Sequence, residues 1–589
     1  MPLLVVVLIS VVAVSLAYAI YAPLLVRLFR LDANTPTPAV LQRDDVDFVP
    51  TEPKFLMSQH FSAIAAAGPI VGPILAGITF GWLPALLWIL IGSILIGGVH
   101  DLAALTASIR HKARSIAEVV REHMNRRSYV LFLLFVWIAL VYIIVAFTDA
   151  TASSFHGLRA LENGDKINGG GIATSSLMYL VLPIAMGLLL RFTKLSLNAA
   201  TAIFLPLVAL SIVAGQWIPF DIESLFAMSP KSAQKAWNVS LLVYCVIASV
   251  LPMWLLLQPR GHLGGYFLYA ALAVGAVGVV FGGHTAKYPA WTGKDLISFN
   301  AATPAIFPML FITIACGACS GFHSIIASGT TSKQLRRETD AKVIGYGAML
   351  LEALVAVISL CCVMMLAPDS ALLTTPGKPP EPNLIYAQGI GSFTGLLGIP
   401  AAVGVSFGLM AFTTFVYDTL DVCTRLGRYI LQELTGAQGA VGKWLGTIAT
   451  AGVPMIFLIW EPTNAQGQPA WKTYWNLFGA SNQLLAALTL VGVTVWLWRT
   501  YSKPWVFLVT GLPGVFMYVM SMWALARSMV PMLTALQASD WSAESAVRNP
   551  VPWVATVLVS LGAMIFVEAI VALASRGPGR TPTPLPAAA

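Results

Sequence analysis

Apolar stretches long enough to cross a lipid bilayer recur along the whole chain. A helix needs about 20 apolar residues to cross roughly 30 Å of hydrocarbon. With 10% charged residues among 589, against about a quarter in soluble domains, the sequence leaves no separate soluble domain. It predicts an all-α polytopic membrane protein of about 15 spans, at residues 3–29, 56–80, 82–108, 129–157, 173–192, 196–216, 238–258, 263–283, 304–328, 342–367, 396–424, 444–461, 474–498, 503–525 and 551–574.

The basic residues orient these spans, because short loops rich in Lys and Arg stay on the cytoplasmic side. Basic clusters fall on one side if 15 spans are threaded in order, namely residues 110–127, 333–342, 425–428, 499–503 and 576–580. The Pro-rich loop with Lys378 falls on the other side. We therefore expect the N-terminus outside and the C-terminus inside, with the first span a retained anchor. Because the net charge of +8 is dispersed among these loops, we expect no nucleic-acid partner.

Two of the spans contain helix breakers at membrane depth. Residues 60–73 carry two Gly-Pro pairs, and residues 316–329 are rich in Gly, Ser and Cys. Unpaired backbone is tolerated at that depth mainly where it lines a cavity or is buried in protein. Both segments therefore predict discontinuous helices. The alternative is that their small residues only allow close helix packing.

The two broken segments resemble each other, since each has a His near a Ser, then an Ile-Ala step, then a small residue and Gly. They cross in opposite directions when threaded, which is typical of inverted-topology repeats. The motif at 146–149 lies two spans after the first broken segment, and a similar motif at 411–414 lies two spans after the second. The predicted domains are an anchor helix and loop at 1–55, repeat 1 at 56–237, inter-repeat helices at 238–303, repeat 2 at 304–498, peripheral helices at 499–575 and a disordered tail at 576–589.

The broken segments also predict the substrate site. Half-helix N-termini would offer unpaired N–H groups to a substrate carboxylate. Amides at the start of the thirteenth span could line a path or hold helices together. The predicted substrate-binding residues are His60, Ser62, Gly68, Gly72, Gly317, Ser320, Gly321, His323, Ser324 and Asn482.

Ionisable residues inside the spans are costly, about 2.5–3.5 kcal/mol each on insertion scales, and so indicate a partner or a function. The acidic candidates are Asp101, Asp149, Glu352, Asp418 and Asp421. Asp421 and Arg425 are four residues apart and can pair on one helix face. The alternative is that this group only clamps a helix end. His60 and His323 could carry protons, because histidine titrates near neutral pH.

No motif of a soluble enzyme, nucleotide cradle or hydrolytic centre is present in the sequence, so we expect neither an enzyme nor a cofactor. Cys316 and Cys319 form a Cys-x-x-Cys on one helix face. Without identifiable partner ligands we interpret them as packing residues, with metal binding as the alternative. No resident metal is predicted.

Five motifs resemble the carbon starvation protein A (CstA) family, namely residues 45–51, 60–73, 320–334, 418–429 and 477–484. The resemblance implies a peptide or pyruvate transporter of the bacterial inner membrane, induced in nutrient limitation. It also implies a LeuT-like fold with five-plus-five inverted repeats. In that fold Thr413 and Thr414 lie on a helix that often supplies ion-binding hydroxyls.

We therefore predict secondary uptake of a peptide or small carboxylate, coupled to protons or sodium. The alternative is a membrane sensor that binds the solute without moving it. The predicted ion-coupling residues are Asp101, Asp149, Thr413, Thr414, Asp418 and Asp421. Asp418 is favoured as proton carrier because an Asp421–Arg425 pair would keep Asp421 ionised. A sodium site at Thr413 and Thr414 is the competing hypothesis.

Overall fold

The computed structural model describes residues 1–44, 48–161, 164, 166–298, 303–374, 380–437, 439–460, 470–539 and 549–575. Asp45 to Asp47, Lys378 and the predicted disordered tail lie outside these residues. The described chain is mainly helical. It also contains one antiparallel pair of strands, β1 (Leu158–Ala160) and β2 (Lys166–Asn168).

The helices of the first half end before residue 282. They are α1 (Leu3–Leu16), α2 (Ala22–Phe29), α3 (Pro38–Leu41), α4 (Pro53–Ile64), α5 (Gly68–Phe80), α6 (Trp82–Gly92), α7 (Gly98–Arg110), α8 (Ile116–His123), α9 (Arg126–Ala152), α10 (Gly169–Phe192), α11 (Leu197–Trp217), α12 (Ile222–Leu225), α13 (Pro230–Val250) and α14 (Leu257–Phe281). Short π-helical segments join α1 to α2 and α6 to α7, so that each pair forms one long span.

The second half begins with a π-helical segment at Ile306–Leu310. Its helices are α15 (Phe311–Thr313), α16 (Phe322–Gly329), α17 (Ala348–Met364), α18 (Ala371–Thr374), α19 (Pro382–Gly395), α20 (Ala401–Thr435), α21 (Gly439–Trp460), α22 (Ala470–Tyr501), α23 (Leu512–Gln537) and α24 (Pro550–Ala574). A further π-helical segment, Lys342–Gly347, leads into α17.

The all-α polytopic prediction is confirmed. Thirteen helices of the described residues are long and apolar enough to cross a membrane, or up to fourteen if the bent pair α4 and α5 is counted as one span. The predicted ninth span is a pair of short helices, so the total of 15 stays a prediction. Helix α19 was not predicted. Its 14 residues are too short to cross a bilayer, and it packs against α20.

The first predicted discontinuity is present, directly before the first Gly-Pro pair. Helix α4 ends at Ile64, and α5 starts at Gly68 with a bend of 47°. Proline is favoured in the first turn of a helix, where its missing N–H would be unpaired anyway, and Pro69 occupies that position. Pro73 lies inside α5.

The second predicted discontinuity is longer. Helix α15 ends at Thr313 and α16 begins at Phe322, which leaves residues 314–321 outside regular helix. Cys316 and Cys319 lie in this segment, so the prediction that they share one helix face is wrong. The Gly and Ser residues of the segment have low helix propensity, and the surrounding helices bury it. The two discontinuous helices of the predicted fold are therefore confirmed.

The centre of the bundle is formed by α17, α20 and α22. All residues of the most apolar stretch of α22 are buried within the protein, whereas 28% of the corresponding residues of α24 are buried. Helix α22 contacts α9 on one side and α15 and α16 on the other. The buried centre thus surrounds the second discontinuity.

Candidate functional site: two buried ionisable groups beside the broken helices

The two discontinuities lie against each other. Gly68 packs on Cys316, and a Cβ added to Gly72 would lie 2.6 Å from the carbonyl oxygen of Thr313. A Cβ on Gly317 would lie 2.7 Å from the Cβ of Ala356. Such distances exclude any side chain without movement of the backbone. These glycines therefore allow close packing of the broken helices, and their predicted contact with substrate stays a prediction.

Asn482 of α22 binds the unwound segment before α16. Its Oδ1 accepts a hydrogen bond from the Phe322 amide at 2.9 Å, and its Nδ2 donates to Ser320 Oγ at 3.0 Å. Its carbonyl accepts from the Gly321 amide at 3.1 Å. Asn482 therefore caps the start of α16. Of the two alternatives for these amides, lining a path or holding helices together, this contact supports the second.

The expectation of unpaired N–H groups at the start of α16 is wrong for this conformation. The amides of His323 and Ser324 donate to the carbonyls of Ser320 and Gly321 at 3.3 and 3.1 Å. Ser324 Oγ also donates to the Gly321 carbonyl, at 2.7 Å. Only a rearrangement of this turn would free these donors for a substrate.

A first ionisable cluster, here the His323 group, consists of His100, Asp101, His323 and Glu352. All four side chains are at most 1% exposed. Asp101 accepts from His100 Nδ1 at 2.8 Å and from His323 Nδ1 at 2.7 Å. The other ring nitrogen of His323 lies 3.1 Å from Glu352, in an ion-pair contact without hydrogen-bond alignment. The cluster joins α7, α16 and α17 next to the second discontinuity.

A second cluster, here the Arg260 group, consists of Arg260, Asp418, Asp421, Tyr244 and Ser62. Arg260 is 0% exposed, and its Nε donates to Asp418 Oδ1 at 2.6 Å. Its Nη1 donates to Asp421 and to Tyr244, and the Tyr244 hydroxyl donates to Asp421 at 2.8 Å. Ser62 Oγ donates to Asp418, which ties α4 to α20.

The predicted pairing of Asp421 with Arg425 is wrong. Arg425 instead donates to the carbonyl oxygens of Ala248 and Leu251, at 2.8 and 2.7 Å. These carbonyls lie at the end of α13, where helical partners are missing. Arg425 thus clamps the end of a neighbouring helix, and Asp418 carries an ion pair as Asp421 does.

His60 lies between the two groups. Its Nδ1 is 2.8 Å from Thr331 Oγ1, while its Nε2 has no hydrogen-bond partner among the described residues. His60 and Asp418 both line a small cavity of ≈ 20 Å³. That volume holds about one water molecule.

The remaining predicted ion-coupling residues lie outside both groups. Asp149 accepts from Gln234 at 2.7 Å and from Asn238 at 3.1 Å. Thr413 Oγ1 lies 3.1 Å from Ser176 Oγ. The buried hydroxyl of Thr414 has no hydrogen-bond partner within the described chain.

A larger cavity of ≈ 540 Å³ lies beside the C-terminal half of α16. Ile325, Ser328 and Gly329 of α16 line one wall. Lys112 to Glu118 and Lys333 line its mouth, and these basic loops are the ones predicted to be cytoplasmic. The volume is typical of a small-molecule site.

Fold and site together define a multi-pass helical membrane protein with buried ionisable groups at two adjoining broken helices. The chain belongs to the family described as carbon starvation protein CstA, whose pattern it matches over residues 3–383 and 376–524. The resemblance stated from the motifs is confirmed.

Curated relatives cover most of the chain. A peptide transporter CstA of Campylobacter jejuni is 33% identical over 86% of this chain and 77% of its own length. One of Helicobacter pylori is 30% identical over 82% and 76%. The pyruvate/proton symporter BtsT of Escherichia coli is 31% identical over 88% and 80%.

Two solved transporters have a similar course of the chain. MhsT in complex with L-phenylalanine matches with a TM-score of 0.47 and 12% identity, over 88% of this chain and 98% of its own. The manganese transporter of Eremococcus coleocola, in complex with an aromatic bis-isothiourea substituted compound, matches with a TM-score of 0.46 and 14% identity, over 90% and 99%.

Proposed function

We propose that this chain is a secondary active transporter that imports a small carboxylate or a peptide together with protons across the bacterial inner membrane. The substrate classes are those named for the CstA and BtsT relatives, and the coupling ion is the one named for BtsT. The proposed orientation has the N-terminus outside and the C-terminus inside. A role during carbon starvation is proposed from the family alone.

The observation that carries proton coupling is the charge balance of the His323 group. With both carboxylates ionised, His323 protonated and His100 neutral, the group has a formal charge of −1. Burying an uncompensated charge costs several kcal/mol. Uptake of one further proton, which would make the His323 group neutral, is therefore favourable. Glu352 is the proposed acceptor, because neither of its oxygens has a hydrogen-bond partner in the described chain.

We propose Glu352, rather than the predicted Asp418, as the proton carrier. Asp418 and Asp421 share a guanidinium, which stays protonated in proteins and stabilises the ionised form of both carboxylates. His323, which pairs with Glu352, can itself lose its proton. The net charge of the His323 group therefore changes more readily than that of the Arg260 group. Asp418 is accordingly proposed as a fixed partner of Arg260.

Access to this group is proposed from the cytoplasmic side in the present conformation. The ≈ 540 Å³ cavity lies among the basic loops and is lined by the C-terminal half of α16, beginning at Ile325, two residues after His323. Opening on the other side would require the two broken helices to separate. Such movement around a fixed central site is the usual form of alternating access.

Uptake into proteoliposomes with imposed proton or sodium gradients tests the proposal. Wild-type protein should concentrate pyruvate or a short peptide when a proton gradient is applied. Glu352→Gln should still exchange substrate across the membrane but lose uphill uptake. Glu568→Gln is the matched control, because Glu568 lies on peripheral α24 with exposed Arg127.

Three outcomes would contradict parts of the proposal. Full uphill uptake by Glu352→Gln would exclude Glu352 as the carrier. Uptake driven by sodium alone and abolished by Thr413→Ala would favour the hydroxyl site instead. Binding of substrate without any flux would identify a sensor.

A further inference from the structure

Two histidines face each other outside the membrane spans: His111 directly follows α7, and His123 is the last residue of α8. The Nε2 atoms of His111 and His123 are 2.8 Å apart, and the ring planes are nearly perpendicular, at 88°. The Glu122 carboxylate completes a set whose ligand atoms all lie within 4.8 Å of one another. None of these three residues belongs to either ionisable group described above.

We propose that His111, Glu122 and His123 form a binding site for a divalent transition metal ion of the zinc class. Two imidazoles and one carboxylate with an open fourth position are a common zinc ligand set. Zn–N bonds of roughly 2.0–2.1 Å in tetrahedral geometry place two nitrogens about 3.3 Å apart. The two rings would therefore have to separate by only about 0.5 Å.

The surroundings of His111 orient its free nitrogen towards the site. Its Nδ1 donates to the Ala107 carbonyl at 2.6 Å, which leaves the Nε2 lone pair facing His123. A backbone carbonyl on the second nitrogen is the usual outer-sphere partner of a metal-binding histidine. Trp496 packs edge-on against the same ring, with centroids 5.4 Å apart.

Burial leaves one open side to the site. His111 and His123 are 8% and 6% exposed, whereas Glu122 is exposed. An ion could thus enter beside Glu122 and keep a water molecule as its fourth ligand. Nearby cations are partly neutralised, because Arg110 pairs with Glu338 at 3.0 Å and Arg114 lies 3.8 Å from Glu118.

Binding requires a change of tautomer but no net loss of a proton from the rings. Without metal, His123 Nε2–H donates to His111 Nε2. With metal, both Nε2 lone pairs bind the ion and the proton of His123 resides on Nδ1. The ion would replace one hydrogen bond with three ligand bonds across the α7–α8 connection.

The site is next to the mouth of the ≈ 540 Å³ cavity. The intervening residues Lys112 to Glu118 all line that mouth. Lys112 and Ala113 have positive φ angles of 61° and 53°, a conformation that non-glycine residues adopt only when their surroundings hold it. A bound ion would therefore fix the segment that forms the cavity entrance.

The test is titration of purified full-length protein, carrying no polyhistidine tag, with Zn²⁺ by calorimetry and with Co²⁺ by visible absorption. Wild-type protein should bind one equivalent of Zn²⁺ and give a Co²⁺ spectrum of tetrahedral type. Glu122→Ala and His123→Gln should each weaken binding by at least about tenfold, a loss of the size seen when even outer-sphere partners are removed. His156→Gln, in a histidine that binds Glu223 and Gln234, is the matched control and should bind as wild type does.

Glu122→Ala keeps the test meaningful if the histidine variant fails to fold, because Glu122 is an exposed side chain. Hydrogen exchange of residues 111–123 should slow on addition of Zn²⁺ in wild-type protein only. Absence of binding in wild-type protein, or equal binding by wild-type protein and Glu122→Ala, would overturn the proposal. Neither result bears on proton-coupled uptake, which is measured separately.

Discussion

Replacement of Arg260 by Met should destabilise the protein strongly. The Arg260 group contains one guanidinium and two carboxylates, so its formal charge is −1, and the substitution leaves −2 in the interior. At the 2.6 Å separation of Arg260 Nε and Asp418 Oδ1, one such pair is worth roughly 6 kcal/mol with an effective dielectric constant of about 20. Since much of this energy offsets desolvation, we expect a net loss of about 3–5 kcal/mol, as for other buried pairs that lose one partner.

The companion variants separate charge from packing. Asp418→Asn leaves one guanidinium and one carboxylate, a neutral pair, so its cost should not exceed about 1.5–3 kcal/mol, the value of one charge-assisted hydrogen bond. Adding Asp418→Asn and Asp421→Asn to Arg260→Met removes all the charges, and most of the lost stability should return. Thermal and denaturant-induced unfolding in detergent micelles measures each variant.

Two results would refute this reasoning. One is Arg260→Met no less stable than Asp418→Asn. The other is a triple variant as unstable as Arg260→Met alone, which would mean that Arg260 acts through its shape. The non-additivity of the substitutions is the quantity to report, since residues of one network couple.

Two further substitutions test the contacts around the discontinuities, and a third tests the clamp at the end of α13. Gly72→Ala should lower the thermal unfolding midpoint and uptake together because its Cβ would meet the Thr313 carbonyl, while Gly452→Ala, with nothing within 4 Å, should be neutral or stabilising. Asn482→Ala should cost about 1–2 kcal/mol through loss of the α16 cap, and wild-type stability would contradict that role. Arg425→Ala should expose the end of α13 to faster hydrogen exchange without a change in substrate preference, and altered preference would place Arg425 in the substrate path instead.

The spans could be predicted because a backbone in lipid must satisfy its hydrogen bonds internally, which an apolar helix does. The ends of the spans could not be predicted. The seventh was predicted at 238–258, whereas α13 runs from Pro230 to Val250. Ser229 caps its start by accepting the Ser232 amide, and Leu251 is extended before Pro252. Both features depend on one or two residues. Hydropathy averaged over a whole span therefore does not detect them.

The site was predictable in part, because lipid also makes charged side chains conspicuous in the sequence. Asp101, His323, Asp418 and Asp421 stand out because charge at membrane depth is costly. Their partners could not be read from spacing, since the Asp421–Arg425 pair is geometrically available and yet the carbonyls of α13 bind Arg425 instead. Arg260 was missed because it falls between two predicted spans, where an arginine looks like an ordinary loop residue.

Helix α4 is the element that connects the two ionisable groups. Its Ser62 donates to Asp418 in the Arg260 group, and its His60 binds Thr331, beyond the end of α16. Helix α4 also packs against α16, which carries His323. A rotation of α4 that separates the broken helices would pull on the Ser62–Asp418 bond, because Asp418 is also held by Arg260 of α14. Loss of that bond would remove one hydrogen-bond donor from the ionised Asp418 carboxylate, so movement of α4 would be coupled to the charge balance of the Arg260 group.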